Sequence, residues 1–267
     1  MPTRDEAWTD GTPCWVDCQV DDIAAAKEYY TALFGWDFQA GPAETMGYVT
    51  ALLGGRAVAG IGPKPEGVEM PAVWSTYISS SDVDATVERA KRAGATFGME
   101  PTDVLEFGRM AFGEDPSGAG FGIWQAKQNI GVAVFREPNT LGWNELHTRD
   151  VDAVKTFYTA VFDWEYEDIA MEEMAYVLFK RPGDDESQGG IFLDTMMPSE
   201  APAHWLVWFA VADCDESTSK ATGLGSTELM PPMDSPYGRM AVVQAPQGES
   251  FGLIDPLTTV GEPTTTT

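Results

Sequence analysis

One segment of this chain occurs twice. Trp143-Asn144-Glu145-Leu146-His147-Thr148-Arg149-Asp150, running into VDAVKTFYTAVFDW, answers Trp15-Val16-Asp17-Cys18-Gln19-Val20-Asp21-Asp22, running into IAAAKEYYTALFGW, 128 positions earlier. At that spacing Lys155 falls on Lys27, Tyr158 on Tyr30, Phe162 on Phe34 and Trp164 on Trp36. Further on, Met174-Ala175-Tyr176 answers Met46-Gly47-Tyr48, PAHWLVWFAVADCDESTSKATG answers PAVWSTYISSSDVDATVERAKRAG, and SPYGRMAVVQAPQGESFGLID answers LEFGRMAFGEDPSGAGFGIWQ. The offset drifts only from 128 to 131 and back to 130, so loops alone have changed length. Two halves this alike share one fold.

In the first copy Val16, Cys18 and Val20 alternate with Trp15, Asp17 and Gln19. A period of two predicts a strand with one face on a core and the other in a different environment. Asp22 or Asp150 then stands as a helix N-cap, and Tyr29, Tyr30, Leu33 and Phe34, or Phe157, Tyr158, Val161 and Phe162, recur at helical spacing. The even-numbered face is expected to pack on that helix and the odd-numbered face to point away from it. Strand, capping Asp and helix recur from Trp74 through Asp82 to Gly94. Each half therefore holds two such units, and the chain holds four of about sixty residues.

One unit alone cannot cover both faces of its sheet, whereas two paired units curve their sheets around a common interior. The predicted fold is α+β: tandem domains at 12–126 and 139–256, each of two paired βαβββ units whose curved mixed sheet surrounds a cleft, with helices on the outer side. A polar lead of about a dozen residues precedes the first strand, and the ending GEPTTTT is expected to be disordered.

Composition narrows the function. With 267 residues, 43% of them hydrophobic and 11% aromatic, the chain has apolar material for two cores. Forty-two Asp and Glu against 16 Lys and Arg give a net charge of −26, a field that repels phosphate backbones and anionic lipid heads. Nucleic acid and membrane surfaces are therefore not expected partners. No apolar run approaches the ~18 residues of a membrane span, and MPTRDEAWTDG has no basic segment followed by a hydrophobic one. The expected location is cytoplasmic. Cys14, Cys18 and Cys214 form no CxxC pair, which fits a reducing compartment, and Cys18 is expected in the core.

The Asp-capped helix with its aromatic pair (EYYTALFGW, KTFYTAVFDW) and the later DPSGAGFGIW resemble the vicinal oxygen chelate superfamily, which contains glyoxalases, bleomycin-resistance proteins and extradiol dioxygenases. The tandem form with GRMA motifs resembles two-domain glyoxalase-like proteins of actinobacteria that are often labelled hydroxylases. The resemblance spans residues 12 to 256. It is specific for fold and implies little about activity. In metal-dependent members a His or Gln lies seven residues before the capping Asp of a first strand, a position that maps to Trp15 and Trp143. The second-unit His maps to Ser75 and Leu206, and the last-strand Glu to Gly122 and Gly252. None of these offers a metal ligand of the kind a divalent ion needs. Neither a metal nor another cofactor is expected.

A small-molecule ligand is expected instead, and the sequence sets no oligomeric state. Trp15 and Trp143 stand where a cleft-facing ligand would be, as a wall for a flat molecule or as filler. Asp17 and Gln19 share the face of Trp15, and Tyr77, Trp124 and Trp208 extend the lining by strand parity. Gly122 and Gly252 are read as leaving room beside it or as close strand packing. Arg109 and Arg239, in matching GRMA motifs, are candidate anion clamps at the cleft mouth, or ion-paired with acids such as Glu106 and Asp234. His204 is read as a loop or strand-end residue. Two functions follow: metal-free binding of a small apolar or aromatic molecule, as in sequestration of a metabolite or antibiotic, or an enzyme using His147 and Glu145 as catalytic groups in the second cleft. A third possibility is an interaction scaffold with filled interiors.

Overall fold

Among the described residues, an aspartate starts each of the four α-helices. In this computed structural model, which describes residues 3–65, 67, 70–170, 175–195, 202–260 and 264–265, each accepts a hydrogen bond from a backbone N–H three residues on. Asp22 caps α1 (Ile23–Phe34) through Ala25 at 3.0 Å, and Asp82 caps α2 (Val83–Arg92) through Ala85 at 2.9 Å. Asp150 caps α3 (Val151–Phe162) through Ala153, and Asp213 caps α4 (Cys214–Gly223) through Glu216, both at 2.9 Å. Each cap satisfies an N–H that the first helical turn leaves unpaired. α1 ends at Gly35, whose φ of +72° suits a residue without a side chain.

The first unit is β1 (Pro13–Val20), α1, β2 (Asp37–Ala40), β3 (Val49–Leu53) and β4 (Arg56–Pro63). The second is β5 (Trp74–Ser79), α2, β6 (Thr96–Val104), β7 (Gly108–Glu114) and β8 (Gly120–Ala126). The third is β9 (Thr140–Thr148), α3, β10 (Glu165–Ala170), β11 (Ala175–Lys180) and β12 (Gly189–Leu193). The fourth is β13 (His204–Ala210), α4, β14 (Thr227–Ser235), β15 (Gly238–Gln244) and β16 (Ser250–Asp255). Within a unit the first and last strands are parallel, β1 with β4 and β5 with β8, and the units join through the antiparallel pair β1·β5. The sheet order is therefore β2-β3-β4-β1-β5-β8-β7-β6, and the second sheet repeats it as β10-β11-β12-β9-β13-β16-β15-β14. The α+β tandem fold expected from the repeat is the one observed.

The two sheets turn their helix-bearing sides toward each other. Val16, Cys18 and Val20 join Tyr30, Phe34 and Trp36 in one core, and Phe209 and Phe251 of the second sheet close it from the far side. Phe34 lies 5.2 Å from Phe209, centroid to centroid. The reciprocal core sets Phe157, Tyr158 and Trp164 against Phe121 and Ile123 of the first sheet. One face of α1 and one of α3 are thus buried between the sheets, while Glu28, Thr31, Thr156 and Thr159 on the other faces stay exposed. Polar bonds fix the seam: Tyr30 donates to Glu249 Oε1 (2.9 Å), Tyr158 to Asp115 Oδ2 (3.1 Å) and Thr76 to Asn144 Oδ1 (2.9 Å).

The polar ending departs from expectation in part. Thr264–Thr265 forms a two-residue strand, β17, against Ile169 and Ala170, because β10 would otherwise offer an open edge. Residues 261–263 and 266–267 of GEPTTTT, and Met174 of the repeat, lie outside the described residues.

Candidate functional site

Strand parity places Trp15, Asp17 and Gln19 of β1, and Trp143, Glu145 and His147 of β9, on the sides of the two sheets away from the helices. Trp15 pairs with Tyr77, which in turn pairs with Gly122; Trp143 pairs with Trp208, which pairs with Gly252. One rung thus crosses the floor of each interior. A Cβ built on Gly122 would fall inside the Tyr77 ring, and one on Gly252 inside the Trp208 ring. The room read beside these glycines is filled by the rings themselves. Trp15, Tyr77 and Trp124 are all nearly inaccessible, so the first interior is packed, whereas Trp143 keeps part of its surface open.

Each floor carries the same hydrogen-bond relay. Trp15 Nε1 donates to the Tyr48 hydroxyl (3.0 Å), which donates to Asp17 Oδ2 (3.1 Å). Trp143 Nε1 donates to the Tyr176 hydroxyl (3.0 Å), which donates to Glu145 Oε2 (2.8 Å). Tyr48, the residue before β3, and Tyr176 of β11 come from two places away in their sheets and reach across Gly60 and Gly190, where a Cβ would collide with the phenol. The repeat aligns these two tyrosines, but nothing in linear spacing tells that they close the relay.

Beyond the relay the halves diverge. Asp17 stops short, and its Oδ1 is buried with no partner. Burial pushes its pKa up to about 7, against the opposing effect of the Tyr48 and Tyr77 hydroxyls. Glu145 is one methylene longer and extends the chain of bonds to His147 Nε2 (2.8 Å), while Asp194 takes Nδ1 (3.0 Å). Phe192 meets the imidazole edge-on, and His204, the first residue of β13, stacks on it with centroids 4.9 Å apart. Burial lowers the affinity of His147 for its proton, but Glu145 and Asp194 together outweigh it and the net shift is upward. His204 shifts downward through burial and the neighbouring His147 charge. Both ring nitrogens of His147 are therefore engaged by carboxylates, which holds an imidazolium and leaves no open nitrogen to accept a proton from a ligand.

Arg109 and Arg239 are not at a cleft mouth. Arg109 lies on the helix side of β7 and grips Asp84 of α2 in bidentate fashion (2.8 and 2.9 Å), with Asp103 at 3.5 Å; Glu106 is not its ion-pair partner. Arg239 does the same with Asp215 of α4 and adds Asp234 at 2.8 Å. Both are thereby spent on tying a helix's first turn to its sheet. Trp124 faces the first interior as parity required, its indole N–H donating to Asn129 O (2.9 Å). Cys18 is buried in the core.

The metal implied by the family has no fitting donors. At the six mapped positions stand Trp15, Ser75, Gly122, Trp143, Leu206 and Gly252, and two of the rings that cross the floor cover the glycines. Among the described residues no three His, Cys, Asp or Glu side chains are arranged to hold an ion.

A cavity of about 290 Å³ does open at the base of the second sheet, between the N-terminal lead, the linker after β8 and the β11–β12 hairpin. Its aromatic walls are Trp8, Phe135 and Trp143, and its arginines are Arg4, Arg136 and Arg181. The walls are fixed: Trp8 Nε1 donates to Val132 O (3.1 Å), Phe135 meets Trp8 edge-on at 4.9 Å, and Trp143 is held by Tyr176. Of these residues the sequence reading singled out Trp143 alone. The others sit in the polar lead, between the two domains and in the β11–β12 hairpin, where the only signal was aromatic and basic residues gathered in a chain short of bases.

Comparison with known proteins fits this anatomy. A sequence model described as the Glyoxalase/Bleomycin resistance protein/Dioxygenase superfamily matches residues 14–123 and 140–253. The chain is 40% identical over 261 residues to CFP32 of Mycobacterium tuberculosis, a protein with a provisional glyoxylase name, covering 96% of this chain and 98% of that one. It is 33% identical to the anthracycline biosynthesis protein DnrV of Streptomyces peucetius, covering 92% and 93%. The 2,3-dioxygenase LapB of Pseudomonas sp. KL28 shares the fold, with a TM-score of 0.64, 13% identity and coverage of 96% and 95%. With the family pattern matched once in each half and the sheet order repeated, the chain belongs to the glyoxalase/bleomycin resistance protein/dioxygenase superfamily.

Proposed function

We propose that this protein binds one small, flat, largely aromatic organic molecule without a metal, in the cavity walled by Trp8, Phe135 and Trp143. The observation that carries the reading is the cavity itself: rigid aromatic walls meet beside a strand position where metal-dependent relatives hold a ligand. Its volume of about 290 Å³ sits at the small end of the ~300–1,000 Å³ usual for small-molecule sites, which suits a molecule of one or two rings. Sequestration of such a molecule is the corresponding biological role. An enzyme reading has less support, because His147 is saturated by Glu145 and Asp194 and does not line the cavity.

Calorimetric titration with 2-naphthol tests the proposal. Trp143→Ala should weaken binding by about 1–3 kcal/mol, the scale of a lost aromatic contact. His147→Ala should leave it unchanged. Unaltered affinity in Trp143→Ala, or binding abolished in a folded His147→Ala variant, would count against this site.

A further inference from the structure

We infer that the ligand carries a negative charge, and that Arg4 is the group that receives it. This rests on the aromatic reading above and adds a second requirement to it. The lining brings three guanidinium groups, Arg4, Arg136 and Arg181, against two carboxylates, Asp184 and Glu186, in a chain whose net charge is −26. Two of the three are already matched. Arg136 pairs with Glu186 (2.5 Å) and donates to Ser187 O (2.8 Å), and Arg181 grips Asp184 through two bonds (2.6 and 3.0 Å). Arg4 differs: its Nε and Nη2 donate to backbone carbonyls, Glu6 O at 2.9 Å and Ala7 O at 3.0 Å, and no carboxylate among the described residues forms an ion pair with it.

A guanidinium has five N–H donors. Two are occupied here, so the Nη1 group and the second hydrogen on Nη2 remain for a forked contact with a carboxylate or sulfonate. The side chain is also placed, not trailing. Its backbone N–H donates to Ala133 O (3.0 Å), its carbonyl accepts from Arg56 Nη1 (3.2 Å), and its guanidinium lies over the Trp8 ring at 4.6 Å. Cation and aromatic wall therefore stand side by side at the cavity. That pairing selects an aromatic acid over a neutral ring of the same shape, through a local contact that acts against the net negative field of the chain.

Titrating the full-length protein with 2-naphthoate and with neutral 2-naphthol separates the two claims. The wild type should bind 2-naphthoate about tenfold more tightly, the effect of one charge-assisted hydrogen-bonded contact. Arg4→Gln should abolish that preference, so that 2-naphthoate loses about tenfold more affinity than 2-naphthol, and Arg4→Lys should restore part of it. Equal affinity for the two probes, or a preference that survives in Arg4→Gln, would overturn the anion assignment and leave the aromatic reading standing. Failure of both probes to bind would overturn both.

Discussion

Asp17 lets burial and titration be tested together. The residue is 7% exposed, and its carboxyl takes one hydrogen bond from Tyr48 at 3.1 Å and has a second, buried oxygen with no partner among the described residues. Burial raises its pKa to about 7. In the unfolded chain an aspartate titrates near 3.9. The folded state therefore keeps a proton that the unfolded state has already released, and the associated stability is complete below about pH 3.9 and lost as pH rises through about 7. At about 1.36 kcal/mol per unit, the full loss approaches 4 kcal/mol. Asp17→Asn removes this titration. Because the sequence pI is about 4.1, acid precipitation sets the lower limit, and about pH 5.5 to 8.5 is the useful range. Over it, the stability of Asp17→Asn relative to wild type should rise by about 2 kcal/mol. Urea unfolding followed by tryptophan fluorescence reads this directly. A difference that stays constant across the range would show that Asp17 is ionised and solvated in the folded protein, contrary to the packing described.

Gly252→Ala should destabilise by about 1–3 kcal/mol in thermal or urea unfolding, since its Cβ has no place beneath the Trp208 ring. Gly223→Ala, where a Cβ meets nothing, should be neutral or mildly stabilising because a helix prefers Ala; the opposite ranking would mean the Trp208 ring is not seated on Gly252. With only two histidines, proton NMR can follow both: His147 should titrate above ~6.5 and His204 below it. By linkage His147 stabilises the fold at pH below ~6.5 and loses that contribution as pH rises through its raised pKa. A reversed order of the two titrations would break the carboxylate clamp proposed around His147.

Period and repetition made the fold legible before any coordinates. Alternation in Trp15 to Val20 gave the strand and its two faces, and the Asp caps gave the helix starts. What linear spacing did not reveal was that the apolar face of α1 packs against the second sheet, because the aromatic residues that close this core, Phe209 and Phe251, lie more than 170 positions from α1 and read locally as their own domain's core. The site was legible only on β1 and β9. Arg109 and Arg239 misled because a GRMA motif does not say which face of a strand its Arg occupies, and a capping-turn acid on a distant helix decided it. The cavity escaped because its walls come from a lead, a linker and a hairpin that have no periodic pattern to read.

The proposed site is single, aromatic and metal-free, in a chain that carries two copies of the fold. Native mass spectrometry of the purified protein mixed with 2-naphthoate reports ligand and metal in one spectrum. The predicted species is the 29.0 kDa chain plus one ligand and no metal ion, with the complex depleted in Trp143→Ala. A complex that carries a divalent ion, binds two ligands per chain, or forms equally well in Trp143→Ala would contradict it.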